Sequence, residues 1–249
     1  HFLVCAAMAL ACAMAGSARA DSFGDLSFSG YADFRVLAPA GQAAWLKGGL
    51  GKFRYGPESG NALFAEAYGQ AVLALGGGLR TIVVARAEPG QAPGIDAMEA
   101  YLSYRPAPQG AVGWSLKAGA FYPTISLEND DLGWTSPYTL TPSAINSWIG
   151  EEIRTVGAEA QLKWQSPAGD LTGIFGLTSG NDEAGILIAD RGWAMDARPT
   201  GLFGRVRLPD ATIGLFHGTP PATTGMFDEI DGRVGWYGGL TWQMPGIGK

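Results

Sequence analysis

The stretch DLSFSGYADFRVLA, Asp25 to Ala38, decides the fold class. Its even positions, Leu26, Phe28, Gly30, Ala32, Phe34, Val36 and Ala38, are all apolar or small. Its odd positions include Asp25, Ser27, Ser29, Tyr31, Asp33 and Arg35. A period of two with one apolar side predicts a β-strand whose faces meet two different environments.

The pattern recurs along the chain. Leu63, Ala65, Ala67, Gly69, Ala71, Leu73 and Leu75 oppose Glu66, Tyr68 and Gln70. Val112, Trp114, Leu116, Ala118 and Ala120 oppose Ser115 and Lys117. Val156, Ala158, Ala160, Leu162 and Trp164 oppose Thr155, Glu159, Gln161 and Lys163, and Val234, Trp236, Leu240 and Trp242 oppose Arg233, Tyr237, Thr241 and Gln243. Candidate strands follow at 25–38, 44–55, 61–75, 78–87, 96–105, 112–121, 152–164, 170–178, 202–208, 211–217 and 233–243. Several reach ten residues, beyond the usual ~5–6 of soluble sheets and near the ~9–11 that cross a bilayer as a tilted strand.

Soluble sandwiches also alternate. Here, however, the polar side carries charges at mid-strand (Asp33, Glu66, Lys117, Glu159, Lys163, Arg205), which suits a wet lumen better than a packed core. Aromatics near strand ends, Trp114, Phe121, Trp164, Trp236 and Trp242, fit interface girdles. Long links at 122–151, 179–201 and 218–232 alternate with the short 165–169, Pro209-Asp210 and Pro245-Gly246. Membrane barrels pair long extracellular loops with short periplasmic turns in this way. In the first half the long link follows the sixth candidate strand where an odd one is expected, so one early segment is misplaced; 44–55, broken by Gly48, Gly49 and Gly51, is suspect, as is the pair around Gly76-Gly77-Gly78.

Composition agrees. Glycine supplies 38 of 249 residues, twice its usual share of ~7%, without a collagen period. Phe2 to Gly16 is an unbroken apolar run, followed by Ala18-Arg19-Ala20 before Asp21; residues 1–20 read as a cleaved signal peptide lacking its charged start. Cys5 and Cys12 both lie within it, so the exported chain relies on no disulfide. Removing Arg19 leaves 16 Lys and Arg against 23 Asp and Glu, a net of −7, which argues against nucleic acid as a partner. Residues 21–249 are expected to form one all-β unit, an antiparallel transmembrane β-barrel incomplete at its C-terminus.

Residues 98–164 carry a resemblance. Glu99-Ala100-Tyr101-Leu102 ends in Arg105; Lys117-Ala118-Gly119-Ala120-Phe121-Tyr122-Pro123 and Ser126-Leu127-Glu128 follow; Glu151-Glu152-Ile153-Arg154 leads into the next strand. This stretch, about a quarter of the chain, resembles the phosphate-selective porin O and P family of Gram-negative outer membranes. The resemblance implies a strand running through a Gly-aromatic-Pro-Ser-Glu turn into a loop that folds inward and narrows a pore. The family's arginine ladder and phosphate site find no residue-by-residue match, so phosphate itself is not implied. The family's final strand ending in an aromatic also has no counterpart before Pro245-Gly246-Ile247-Gly248-Lys249.

The search for chemistry is mostly negative. His217, the one histidine after the signal, has no flanking nucleophile motif and reads as a rim residue, so no enzyme is expected. Glu128-Asn129-Asp130-Asp131 lacks EF-hand spacing; it is either a solvated acidic loop or a set of acids facing the pore or a divalent ion. No cofactor or metal is expected. With the polar phase facing the lumen, the wall holds Arg35, Arg80, Arg86, Arg105, Lys117, Lys163, Arg205, Arg207 and Arg233 against Asp33, Glu66, Glu99 and Glu159. The loop acids Glu128, Asp130 and Asp131 are placed opposite Lys117, Arg154 and Lys163. The expected function is passive diffusion of small polar solutes, with anion selectivity as a candidate property. The expected partners are outer-membrane lipid and lipopolysaccharide, with a homotrimer as a candidate assembly. The competing reading is a soluble exported β-domain with a carbohydrate-binding or structural role.

Overall fold

The computed structural model describes residues 25–43, 55–60, 62–89, 92–139, 143, 154–180, 200–205, 223, 227 and 231–246. Eight strands run in chain order: β1 (Leu26–Leu37), β2 (Ala62–Gly76), β3 (Leu79–Ala87), β4 (Ile95–Tyr104), β5 (Val112–Phe121), β6 (Thr155–Ser166), β7 (Gly169–Ser179) and β8 (Gly235–Gln243). They form one antiparallel sheet in the order β1 to β8, each strand beside its sequence neighbour. The one helical element among the described residues is a single 3₁₀ turn, Pro57–Ser59.

The sheet is open. A closed barrel was expected, but β1 pairs only with β2 and β8 only with β7 among the described residues. β1 pairs directly with β2, from Leu26↔Leu73 to Leu37↔Ala62; of the strand expected at 44–55, residues 44–54 lie outside the described residues. Among the described strands, the intervals after odd ones span 38–61, 88–94, 122–154 and 180–234, and those after even ones span 77–78, 105–111 and 167–168.

The strand expected at 202–208 does not form where it is described: Leu202 and Phe203 make a turn, and residues 204 and 205 are outside any strand. The backbone there finds other partners. Leu202 donates to the Ala97 carbonyl at 2.6 Å, and the Phe203 amide donates to the Asp96 carboxylate at 3.2 Å. The signal segment 1–20, the segment 211–217 with His217, and residues 206–208 lie outside the described residues.

Most of the sheet keeps a period of two in side-chain direction, and polarity is inverted relative to a water-soluble sheet. Side chains on the apolar phase stand exposed: Phe28, Phe34, Leu63, Val83, Leu102, Leu116, Val156, Leu162, Phe175, Leu177 and Leu240. Val36 is 83% exposed and Trp236 74%. The opposite face holds the buried groups, including Glu66, Arg86, Asp96 and Glu159. The register carries this phase across the sheet, as in Asp33↔Glu66, Tyr68↔Arg86, Ser103↔Lys117, Lys117↔Glu159 and Gly176↔Tyr237. One exception lies in β4, where the register shifts opposite Val84 and Ala85. That irregularity puts both Met98 and Glu99 on the polar face, with Met98 fully buried.

The β2–β3 connection shows how local sequence fixes register. Gly77 and Gly78 have φ of 59° and 89°, the double positive φ that a two-residue hairpin of type I′ requires. A Cβ on Gly78 would meet the Arg105 carbonyl and approach Pro106 Cα at 3.2 Å, whereas at Gly77 it would meet open space. Gly78→Ala is therefore expected to lower unfolding stability by about 1–3 kcal/mol, with Gly77→Asn nearly neutral. Denaturant unfolding of both variants against the parent measures the difference; equal loss in both would contradict this turn geometry.

Candidate functional site

The link after β5 turns back onto the polar face. Pro123, with no N–H to give, ends the β5 ladder, and the preceding Tyr122 amide turns aside to Glu99 Oε1 at 3.0 Å. Ser126 Oγ then accepts the amides of Glu128 (3.1 Å) and Asn129 (2.8 Å), folding the acidic run into a local turn. Asp131 and Thr135 close the bend through a 3.1 Å backbone bond. Thr135 Oγ1 accepts from Tyr31 Oη of β1 at 2.8 Å, which fixes the tip to the far side of the sheet.

Apolar contact adds to these bonds. Tyr122 and Trp134 stack at 5.0 Å between centroids and join Tyr68, Ile82, Val84 and Met98 in one buried cluster on the otherwise polar face. Trp134 takes a left-handed backbone, φ 65°, rare for a bulky residue. Beside it Gly133 is required, because a Cβ there would stand 2.7 Å from the Tyr68 ring. Close packing of Tyr68, Trp134 and Tyr122 is what holds this conformation.

Glu159 is the polar centre of the arrangement. Its side chain is 5% exposed, and its carboxylate accepts from Thr124 N (3.1 Å), Thr124 Oγ1 (3.0 Å), Lys117 Nζ (3.0 Å) and Tyr237 Oη (2.5 Å). Tyr237 reaches it from β8 by lying across β7 at Gly176, where a Cβ would stand 2.6 Å from the phenol oxygen. Lys117 also donates to the Tyr122 carbonyl and Thr124 Oγ1, both at 3.1 Å, so its three donors are all engaged.

Arg154 has a structural place. Its side chain is buried and donates to the carbonyls of Met98 (3.3 Å), Thr200 (2.6 Å) and Gly201 (3.2 Å) and to Tyr122 Oη (3.4 Å). It ties the loop, β4 and the 200–204 turn together and does not stand in a solvent-facing wall. Lys163 pairs with Asp170 at 2.7 Å and lines a separate cleft of about 420 Å³ with Arg105 and Pro106, away from the loop acids.

Eight of the twelve residues predicted to line a pore share the polar face: Arg35, Glu66, Arg80, Arg86, Glu99, Lys117, Glu159 and Lys163. Arg105 follows the end of β4, Arg205 follows the 202–203 turn, and Arg233 precedes β8; all three are exposed. Arg207 lies outside the described residues. Most bases on this face stand beside acids: Arg35 with Asp33 and, at 3.8 Å, Glu66; Arg86 with Glu88 at 3.3 Å; Lys117 with Glu159; Lys163 with Asp170. Of the loop acids, Glu128 accepts the Ser143 amide at 2.5 Å, whereas Asp130 and Asp131 are exposed on the rim of a cleft of about 550 Å³. Glu99, Tyr31, Tyr101 and Trp134 line the same cleft.

Sequence reasoning missed Ile82, Val84 and Met98 beneath the loop. The signal was present in Ile82-Val83-Val84, where apolar residues at 82 and 84 break the polar phase of β3 and mark a point on that face that something covers. It also missed Tyr237, which lies two strand spacings from Glu159 and reaches it across the bare Gly176. Comparison with protein-family models, with curated proteins and with solved structures finds no match to this chain.

Glu159→Gln keeps the shape and removes the charge that Lys117 faces. Breaking one side of a mostly buried pair is expected to cost about 2–4 kcal/mol, reduced from the fully buried case because Lys117 is partly exposed. Hydrogen exchange should accelerate at the Tyr122 and Thr124 amides while β2 and β3 amides keep their protection. Unchanged exchange at Thr124 would mean that the carboxylate does not hold the loop.

Proposed function

We propose that this chain forms the wall of an outer-membrane diffusion pore for small polar solutes, with the 122–139 segment as the element that narrows it. One observation carries this reading: the exposed face of the sheet is apolar, and the ionisable side chains sit on the face that the loop covers. In water that arrangement is unfavourable, at about 25 cal/mol for each Å² of apolar surface left exposed. Against hydrocarbon tails it is the favoured one.

Dimensions support it. From Val156 to Trp164 the apolar phase of β6 runs over nine residues, within the ~9–11 that a tilted strand needs to cross the bilayer. Near the short-turn end Trp114, Trp164 and Trp242 stand exposed, with Val112↔Trp164 and Leu171↔Trp242 in register. Such a row suits the headgroup layer. The resemblance over 98–164 points the same way, since it implies an inward loop at the position where this loop folds. An open sheet edge in hydrocarbon leaves backbone groups unpaired, so the working pore closes β1 and β8 by further pairing.

The two candidate environments of the apolar face give opposite outcomes for one pair of substitutions. Ala160 lies at the middle of the apolar phase of β6 and Gln161 beside it on the polar face. In a bilayer Ala160→Arg should cost about 2–4 kcal/mol and reduce assembled protein in the outer-membrane fraction, while Gln161→Arg assembles normally. On the surface of a soluble domain Ala160→Arg would change stability by less than about 0.5 kcal/mol, and the protein would stay with periplasmic contents without detergent. Discrete conductance steps from the detergent-purified protein in planar bilayers test the pore directly.

A further inference from the structure

We infer that the cleft between the loop and the polar face is a binding site for neutral saccharides. The inference names a solute class for the proposed pore and rests on that reading for its biological sense.

The cleft holds about 550 Å³, within the ~300–1,000 Å³ of small-molecule sites. Its charged groups are largely engaged by the protein itself. Lys117 gives its three donors to Glu159, the Tyr122 carbonyl and Thr124. Glu99 Oε1 accepts the Tyr122 amide, Asp131 Oδ1 accepts the Leu132 amide, and Asp130 has a further interaction of its own. Neutral groups on the strand side are not engaged in this way. Among the described residues the Ser29 hydroxyl, the Gln70 amide and the Tyr101 hydroxyl make no hydrogen bond, none is sealed from solvent, and all three residues line the cleft. Ser29 and Gln70 are cross-strand partners, and Tyr101 stands two residues from Glu99 on the same face of β4. Hydroxyls and amides both donate and accept, as sugar hydroxyls do, whereas an ammonium or a carboxylate ligand could use only half of that capacity.

Aromatic rings supply the other kind of wall. Tyr31 stacks on Tyr68 at 5.2 Å by one face and is still 39% exposed, and it lines the cleft with Tyr101 and Trp134. A pyranose offers a face of C–H groups to such a ring and a rim of hydroxyls to the polar groups around it, so it meets both kinds of wall at once. Aromatic lining with a few placed polar groups is the general make-up of sites that hold small molecules in one orientation.

Equilibrium dialysis of the full chain, solubilised in a detergent without a sugar headgroup, tests this with labelled maltose, glucose, succinate and putrescine. Saturable binding of maltose or glucose, above that of both ions, is the expected result. Tyr101→Phe removes one hydroxyl and keeps the ring against Phe121, and Gln70→Leu removes the amide at similar volume. Each should weaken sugar binding by about three- to ten-fold. Circular dichroism shows which variants remain folded, and either folded variant is sufficient. Binding of neither sugar, ion binding of equal strength, or sugar affinity unchanged in a folded variant would each overturn the inference. Because dialysis needs no membrane, sugar binding without bilayer conductance would remove the pore and leave the saccharide site, and conductance without sugar binding would do the reverse.

Discussion

Phase is the constraint on which the rest of this molecule depends. A strand places alternate side chains on opposite faces, so a slip of one residue in any pair would carry its charges to the apolar side. From β1 to β8 the register avoids that slip, and the irregularity opposite Val84 and Ala85 is put to use. It sets Met98 beneath the loop while leaving Glu99 to accept the Tyr122 amide, so one strand serves both the apolar cluster and the polar turn.

Given that phase, the polar face must dispose of charges that are shielded from bulk water. It does so through neighbours in register or one step away: Arg35 with Asp33, Lys117 with Glu159, Lys163 with Asp170. Glu159 collects donors from β5, β8 and the loop, so one carboxylate joins the start of the loop to two strands. Such pairs contribute more to uniqueness of arrangement than to net stability, since desolvation offsets much of their attraction. The consequence for function is that a tally of arginines overstates the positive field.

The sequence alone determined the all-β class, the strands β1 to β8 to within a few residues, and which phase of each strand is apolar. These are local properties, because a period of two is visible within ten residues. It also placed the loop start, through Pro123 and the Ser126 turn, and it held the sign that something covers β3 in Ile82-Val83-Val84. The strand order, the place of Arg154 and the charge balance were decided only by tertiary structure. Tyr31 meets Thr135 across 104 positions and Arg154 meets the Thr200 carbonyl across 46, and no local pattern encodes such pairings. Residues 202–205 show the same limit: they carry a strand-like pattern, but carbonyl and carboxylate groups of β4 offered the backbone of Leu202 and Phe203 better-placed partners. Alternation specifies that two faces differ. What lies against each face depends on chain segments that come together only when the sheet has formed.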